Sequence, residues 1–509
     1  MWWLRSDRTE PGRLSPAAGC AVALALVLLP ASPPAEGAQE GEASYGLVAM
    51  GANGVPGETL ADRVANYRRL REAGVEAVRV DINWHQVEPA GEPLHDYDFS
   101  ERDREITAIR RAGLEVIGIL AYGHADYAAS SSTVGQTPLG GEGIPPFALG
   151  ASRSYPPDDP ADFAAYAQAT ASHYGDEVMA WEVWNEENQG YRFWAPREDP
   201  AAYARLLCAT HPVLKDVDPE TPVVFGGVFF AAVAGQPGIS GPDFVQAAYG
   251  AEPGLGRCYD VMAYHPYAYP FTAPELDVPI RGSVLSAADT MRAVLERNGD
   301  AAKPLWITEV GWPTHDRSYG VPERKQAQYV ARMQAATFAQ GIPVLGWYTY
   351  GDAKDPSGGF NQESWFGFFR PDGSAKPAYE ALRTFSRVFR GMRFRRDLSG
   401  PLGLPPGEQN MGGRGFALRF GGRDRAGAKT NVTAVWLATE SATDGQNSMS
   451  GDASGGTSSV PVRLPVRGAG ARIFSHLGER TRAPADGGTL ALDAGPGPVY
   501  VVDRAKPRS

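Results

Sequence analysis

Apolar positions along this chain follow two different periods, and the change from one to the other divides it. From residue 45 to about residue 385, short β-rich runs alternate with stretches whose apolar residues recur every three or four positions. That alternation is the pattern of strand–helix units feeding a parallel sheet. The first strand is expected over Tyr45–Gly51. The helix after it places Leu60, Val64, Tyr67 and Leu70 on one face and stops at Gly74. The next unit has a strand over Val75–Asp81 and a helix that starts at Ser100, with Asp103 completing a weakened capping box, turns Ile106 and Ile109 inward and stops at Gly113. A third strand follows over Leu114–Ala121. Arg71-Glu-Ala-Gly-Val-Glu-Ala-Val and Arg110-Arg-Ala-Gly-Leu-Glu-Val-Ile are near copies, so helix end, glycine and strand entry recur as one module. Further strands are expected over Val178–Trp184, Pro222–Val228, Tyr259–Tyr264, Pro304–Glu309 and Pro343–Tyr350, eight in all. Eight such units close an α/β fold, the (β/α)8 TIM barrel, whose chemistry sits at the C-terminal ends of the strands.

Beyond the helix carrying Tyr379, Leu382 and Phe385 the period shortens to two. Phe416–Phe420, Thr433–Leu437, Val460–Val466 and Val499–Val502 are short alternating runs broken by Gly, Pro and Ser, the signature of a C-terminal all-β sandwich. The expected division is a leader over residues 1–40, a catalytic barrel over 41–389 and the β-sandwich over 390–509. Ser441–Ser459 is polar and of low complexity, which suits a flexible connection. Two connections in the barrel, Tyr122–Pro160 and Gly351–Phe366, are too long for simple turns and are expected to wall a cleft.

Composition changes this picture little: 509 residues at 43% hydrophobic and 21% charged is an ordinary globular chain. A net charge of -11 with no Lys/Arg run argues against a nucleic-acid partner. The N-terminus does add something. Arg5, Arg8 and Arg13 precede the apolar run Ala17–Leu29 and then small residues and prolines, as in a secretory signal. That run falls short of the ~20 residues that span a bilayer, so no membrane span is expected in the mature chain, which is placed outside the cytoplasm as a secreted, periplasmic or cell-surface protein. Cys208 and Cys258 are left as either one disulfide or two buried thiols. The sequence leaves oligomeric state open.

Candidate chemistry comes from two tracts more than a hundred residues apart. Met179-Ala-Trp-Glu-Val-Trp-Asn185-Glu186 and Leu305-Trp-Ile-Thr-Glu309-Val-Gly-Trp312 each end an apolar run on a glutamate beside tryptophan. Carboxyl groups at the ends of different strands can flank one glycosidic bond, one protonating the leaving oxygen and the other attacking the anomeric carbon. Arg79 and Asp81 end the second strand, with Trp84 and His85 beyond; His124 follows the third, His265 and Tyr267 the sixth, and Trp347 lies in the eighth. No Walker-type loop, His-Glu-x-x-His or paired Cys-x-x-Cys is present, so neither cofactor nor metal is expected.

Trp184-Asn185-Glu186, His265-Pro-Tyr267, Ile307-Thr-Glu309 and Trp347 together resemble clan A retaining glycoside hydrolases. The order Arg79, His124, Asn185-Glu186, His265-Pro-Tyr267, Glu309, Trp347 is similar to the family 5 cellulase-like pattern. The appended β-domain and the Trp-Asn-Glu-Glu-Asn and Thr-Glu-Val-Gly-Trp wording resemble family 39, which includes β-xylosidases and exopolysaccharide hydrolases. The resemblance implies a carbohydrate substrate, Glu186 as acid/base, Glu309 as nucleophile, and Arg79, His124, Asn185, His265, Tyr267 and Trp347 as substrate-binding residues, with Trp347 the floor of the subsite. A family 5-like endo-β-glucanase or mannanase is the alternative, and a catalytically dead carbohydrate-binding or cell-surface protein is the rival of another class. Tyr191, Phe193 and Trp194 are further sugar platforms or the seat of the next helix; Trp181 is expected in the core, and Glu187 and Asp81 in supporting roles. The β-sandwich is expected to buttress the barrel, with Trp436 its one candidate exposed aromatic.

Overall fold

Eight parallel strands close on themselves in the structure, a computed structural model: β1 (Leu47–Gly51), β2 (Ala77–Asn83), β3 (Glu115–Ala121), β4 (Ala180–Asn185), β5 (Val223–Phe229), β6 (Val261–His265), β7 (Leu305–Ile307) and β8 (Val344–Trp347). The barrel is sealed where β1 pairs with β8, Met50 opposite Trp347. The structure describes residues 46–52, 55–91, 94–128, 151–190, 192–231, 238–268, 271–276, 283–317, 320–353, 361–408, 412–424, 427–439 and 459–504. The expected leader, most of the first long loop, part of the second, Tyr191 and all of the Ser441–Ser459 connection but its last residue lie outside them.

Strand alternation sorts the barrel residues. Ala49, Ala77, Ile117, Ala180, Val224, Ala263, Trp306 and Val344 form the interior layer, mostly small because eight strands leave little room. Their neighbours, among them Val48, Val78, Val116, Val183, Met262 and Leu345, face outward into the helix layer. The helices are α1 (Leu60–Ala73), α2 (Trp84–Val87), α3 (Ser100–Arg111), α4 (Pro160–Tyr174), α5 (Pro200–Val217), α6 (Gly241–Ala251), α7 (Val284–Arg297), α8 (Glu323–Ala339) and α9 (Pro377–Phe389). α1 opens on a full capping box between Thr59 and Asp62 and ends at Gly74, whose φ of 96° is left-handed backbone that glycine adopts without strain. The capping box expected at Ser100 is not there. Ser100 is already helical, the cap is Phe99 with no side-chain bond, and the Ser100 amide donates to Asp98 instead. The aspartate two residues upstream reached the free amide first.

The C-terminal part carries β9 (Met392–Asp397), β10 (Pro406–Glu408), β11 (Gly412–Arg423), β12 (Lys429–Ala438), β13 (Val460–Pro465), β14 (Gly470–Ser475), β15 (Arg480–Pro484), β16 (Thr489–Ala494) and β17 (Val499–Arg504). Seven of these form one antiparallel sheet, and β13 with β16 forms a second. Ala417, Val435, Val462, Leu464, Leu490 and Val501 fill the space between them. The opposite face of the large sheet lies on the barrel, where Phe389 of α9 meets Phe420 and Tyr500 edge-on at 5.1 and 5.0 Å. Trp436 is here, not at the surface: it is fully buried, stacked on Phe416 at 4.6 Å, with its indole N–H donating to Glu275 of the barrel at 2.7 Å. The sheet therefore buttresses the barrel through the aromatic that sequence offered as exposed.

Cys208 of α5 and Cys258 before β6 are bonded, across a sequence separation of 50. Closing a loop of that length removes unfolded-chain entropy, so a Cys208→Ala/Cys258→Ala variant is expected to lose about 2–4 kcal/mol in urea unfolding. An unchanged midpoint would mean the bond constrains nothing that unfolds.

Candidate active site

Arg79 organises the C-terminal mouth of the barrel. It points inward from β2, and its Nε and Nη2 donate to the two carboxylate oxygens of Glu182 on β4 at 2.8 and 2.9 Å. Nη2 also reaches Asn185 Oδ1 at 2.8 Å, and Nη1 reaches Glu309 Oε2 at 3.0 Å. The planar guanidinium thereby fixes three side chains at once. Because Arg79 occupies the carbonyl end of Asn185, the amide nitrogen of that side chain is the end left for a ligand.

Glu309 follows β7, and its other oxygen accepts from Tyr267 Oη at 2.5 Å. Glu186 follows β4 and meets His265 Nδ1 at 2.8 Å through Oε1. The backbone is left-handed at two non-glycine residues here, Trp184 (φ 71°) and Glu186 (φ 49°). Such a pair costs on the order of 1 kcal/mol or more each and is held where the surroundings demand it. Here the strain aims Glu186 across the barrel: Glu186, His265 and Glu309 place one side-chain atom each within 4.8 Å of one another.

That cluster has the spacing of a metal site but not its chemistry. Both nitrogens of His265 are already engaged, by Glu186 and by Thr308 Oγ1 at 3.0 Å, and a guanidinium cation sits on Glu309. Burial is the largest influence on all three groups. It pushes Glu186 up to about 7, with Arg192 opposing and Glu363 reinforcing the rise. It raises Glu309 too, although His265, Arg79 and the Tyr267 hydroxyl each favour its charged form. It lowers His265 to about 4. At neutral pH the site thus holds a protonatable Glu186 beside a neutral imidazole.

Of the residues singled out from sequence, Arg79, Asn185, Glu186, His265, Tyr267 and Glu309 come together. His124 and Trp347 do not join them. His124 is 1% exposed; Nε2 is taken by the Glu88 carbonyl at 2.6 Å and Nδ1 accepts from the Asp126 amide, so it ties down the turn after β3. Trp347 is 1% exposed, beside Trp312 and Phe368 in the helix layer. The reason is parity: Val344 faces the barrel interior, so Gly346 and Tyr348 do too, and Trp347 must face out. Tyr348, half-buried and edge-on to Phe366, which is in turn edge-on to Tyr267, is the aromatic that the end of β8 turns to the mouth. Phe193, Trp194, Trp181 and Trp84 are all buried packing residues.

Sequence reading passed over Glu182 and Thr308, both of which lie inside the quoted tracts; their position two residues from an inward-facing neighbour was the available signal. Arg192 and Glu363, 3.5 Å apart, bring the second long loop within electrostatic reach of Glu186. Gly227 was also unmarked: a Cβ there would lie 2.0 Å from His265 Nε2, so only glycine lets the imidazole into place.

Glu187 lies fully buried next to Glu186 in the chain, with neither carboxyl oxygen hydrogen-bonded to a side chain among the described residues. Burial, then Glu182 and Glu186, hold it well above the usual carboxylate range. A carboxyl raised on folding contributes its full stability below its unfolded-state value and loses it as pH rises towards the folded one. Glu187→Gln is therefore expected to melt above the wild type, by a margin that grows from pH 4 to pH 7; a margin that shrinks over that range would show Glu187 to be ionised and paired.

No family model matches the chain, and no curated protein matches it. Solved structures do match its fold. A family 39 glycoside hydrolase from the gut symbiont Bacteroides cellulosilyticus superposes with a TM-score of 0.64 at 22% identity, over 90% of this chain and 80% of that one. The GH39 enzyme of Xanthomonas axonopodis pv. citri gives 0.57 at 15% identity, over 91% and 94%. A monomeric β-xylosidase from Caulobacter crescentus gives 0.57 at 15%, over 91% and 97%. The shared architecture, barrel and appended β-domain together, extends over nearly the whole chain.

Proposed function

We propose that this chain is an exported retaining glycoside hydrolase that cleaves β-linked oligo- or polysaccharide by double displacement. One observation carries the reading: two carboxyl groups at the mouth of a barrel, within 4.8 Å, with surroundings that divide their roles. A separation of about 5 Å suits direct attack by one carboxylate, whereas an inverting pair stands about 6.5–9.5 Å apart to admit a water. Glu309, held by Arg79 and Tyr267, is the nucleophile. Glu186, buried against neutral His265, is the acid that protonates the leaving oxygen and the base that later activates water. The amide of Asn185 donates to the 2-hydroxyl of the sugar, and the half-buried ring of Tyr348, backed by Phe366, lies beside it. The Cys208–Cys258 bond supports export, since such bonds persist in oxidising compartments. No helix among the described residues is long and apolar enough to cross a membrane.

The β-xylosidase neighbour makes an aryl β-xyloside the first substrate, followed by the β-glucoside, β-galactoside and β-mannoside. Proton NMR of the first-formed sugar is expected to show the β anomer before mutarotation. The α anomer first, or no hydrolysis of any β-glycoside or β-linked polysaccharide, would remove the reading.

A further inference from the structure

We propose that Thr308 and Glu182 fix the tautomer of His265, keeping its single proton on Nε2 so that Nδ1 stays bare and accepts a hydrogen bond from protonated Glu186. The proposal rests on the acid role given to Glu186 above and adds two positioning residues to it.

The chain of donors runs from the ion pair to the acid. Glu182 accepts from Arg79 at both oxygens and from the Gly227 amide at 3.0 Å, and a carboxylate so placed can only accept. Thr308 Oγ1 donates to Glu182 Oε1 at 3.1 Å. A hydroxyl has one hydrogen, so what it presents to His265 Nε2 at 3.0 Å is a lone pair, and the imidazole must supply the N–H there. A neutral imidazole has no second N–H. Its Nδ1, 2.8 Å from Glu186 Oε1, is an acceptor, and the proton between them belongs to Glu186. The groups facing the ring from the surrounding elements are Glu182 and Glu186 from β4 and its end, Arg192 beyond it, Thr308 and Glu309 after β7, Arg79 from β2 and the Gly227 backbone of β5. Complete burial of the ring, seconded by Arg79 and Arg192, outweighs the pull of Glu309 and Glu182 towards an imidazolium.

The tautomer matters in both halves of the reaction. In the first, the Glu186 proton gives up its hydrogen bond to Nδ1 and passes from the carboxyl to the glycosidic oxygen as the C1–O bond breaks and the C1–Glu309 bond forms. Glu186 is then a carboxylate facing a bare nitrogen, an arrangement that favours taking a proton back. It takes one from water as the water oxygen bonds to C1 and Glu309 is released. His265 stays neutral throughout. The opposite tautomer would donate to the Glu186 carboxylate, stabilise it and leave little acid at neutral pH.

Two measurements on the full chain test this. Nitrogen-15 NMR of histidine-labelled protein, with His265 assigned by its loss in His265→Gln, is expected to show the Nε2–H tautomer in wild type and in Thr308→Ser, and the Nδ1–H form gaining in Thr308→Val. The alkaline limb of kcat/KM for an alkyl β-glycoside is expected to move down by about one pH unit or more in Thr308→Val, to stay in place in Thr308→Ser, and to matter little with a dinitrophenyl leaving group that needs no protonation. An Nδ1–H or imidazolium resonance in the wild type, or a Thr308→Val limb equal to wild type, would overturn the proposal. A wild type that cleaves no glycoside refutes the functional reading alone, because the NMR result still decides the tautomer.

Discussion

Replacing Glu309 with glycine is expected to lower kcat on an aryl β-glycoside by about 10⁴- to 10⁶-fold, the scale of losing a covalent nucleophile. The folded structure should survive, because Glu309 sits at the mouth with its side chain 16% exposed and supports no element. Arg79 keeps Glu182 and Asn185 in the variant. The space vacated lies where an anion is already favoured by Arg79 and by the Tyr267 hydroxyl. Azide entering it attacks from the face the carboxylate used, and the expected product is the α-glycosyl azide, with substantial recovery of rate. The double displacement rests on both outcomes. Residual activity equal to wild type, or rescue that yields the β-azide, would take Glu309 out of the mechanism.

The largest stability effect is expected at the seam between barrel and sheet. Arg332 of α8 is fully buried; Nε and Nη2 donate to the Pro496 carbonyl at 2.9 and 2.6 Å, and Nη1 lies 3.6 Å from Glu275 Oε2. The other oxygen of Glu275 accepts from Trp436. One guanidinium thus joins an α-helix, a barrel loop and the loop before β17. Arg332→Met removes the cation and leaves a carboxylate in a buried interface, a change that costs about 3–5 kcal/mol. Urea unfolding should read this as a lower midpoint. Removing the charge on the other side as well, in Arg332→Met/Glu275→Leu, should return part of the loss, because the uncompensated carboxylate is gone while the Trp436 N–H loses its acceptor. A double variant less stable than Arg332→Met would show that the Trp436 N–H left without its acceptor outweighs the buried charge.

Much of the fold was legible because it is local. The strand–helix period, the repeated helix end and glycine at Gly74 and Gly113, and the shift to a period of two after Phe385 all reflect which side chains must leave water, and no distant partner is needed to read them. Strand ends were placed to within a few residues, whereas β9, β10, β14, β15 and β16 escaped notice. β9 and β15 are arginine-rich and β10 has three residues, so their pairing comes from neighbours across the sheet, whereas β14 and β16 do alternate, with Ala471 and Ile473 and with Leu490, Leu492 and Ala494 turned inward. The cap at Ser100 failed for a similar reason: two aspartates were in reach of one amide, and geometry selected Asp98.

At the site, the residue types and their order along the chain marked Glu186, Glu309, Arg79, Asn185, His265 and Tyr267, since each closes or follows an apolar strand run on the rim where a barrel holds its polar groups. What the sequence could not hold was side-chain direction. A shift of one position in β8 separates a buried tryptophan from a tyrosine at the mouth, and a run of letters does not say which parity faces in. Nor could it show that Glu182, three residues before Asn185, is tied through Thr308 to the imidazole beside the acid. Composition and periodicity determined the barrel and the inventory of its chemistry, because burial acts on each residue where it stands. Closure of eight strands decided which inventory members meet, because hydrogen bonds and charges act only across distances that the tertiary fold alone sets.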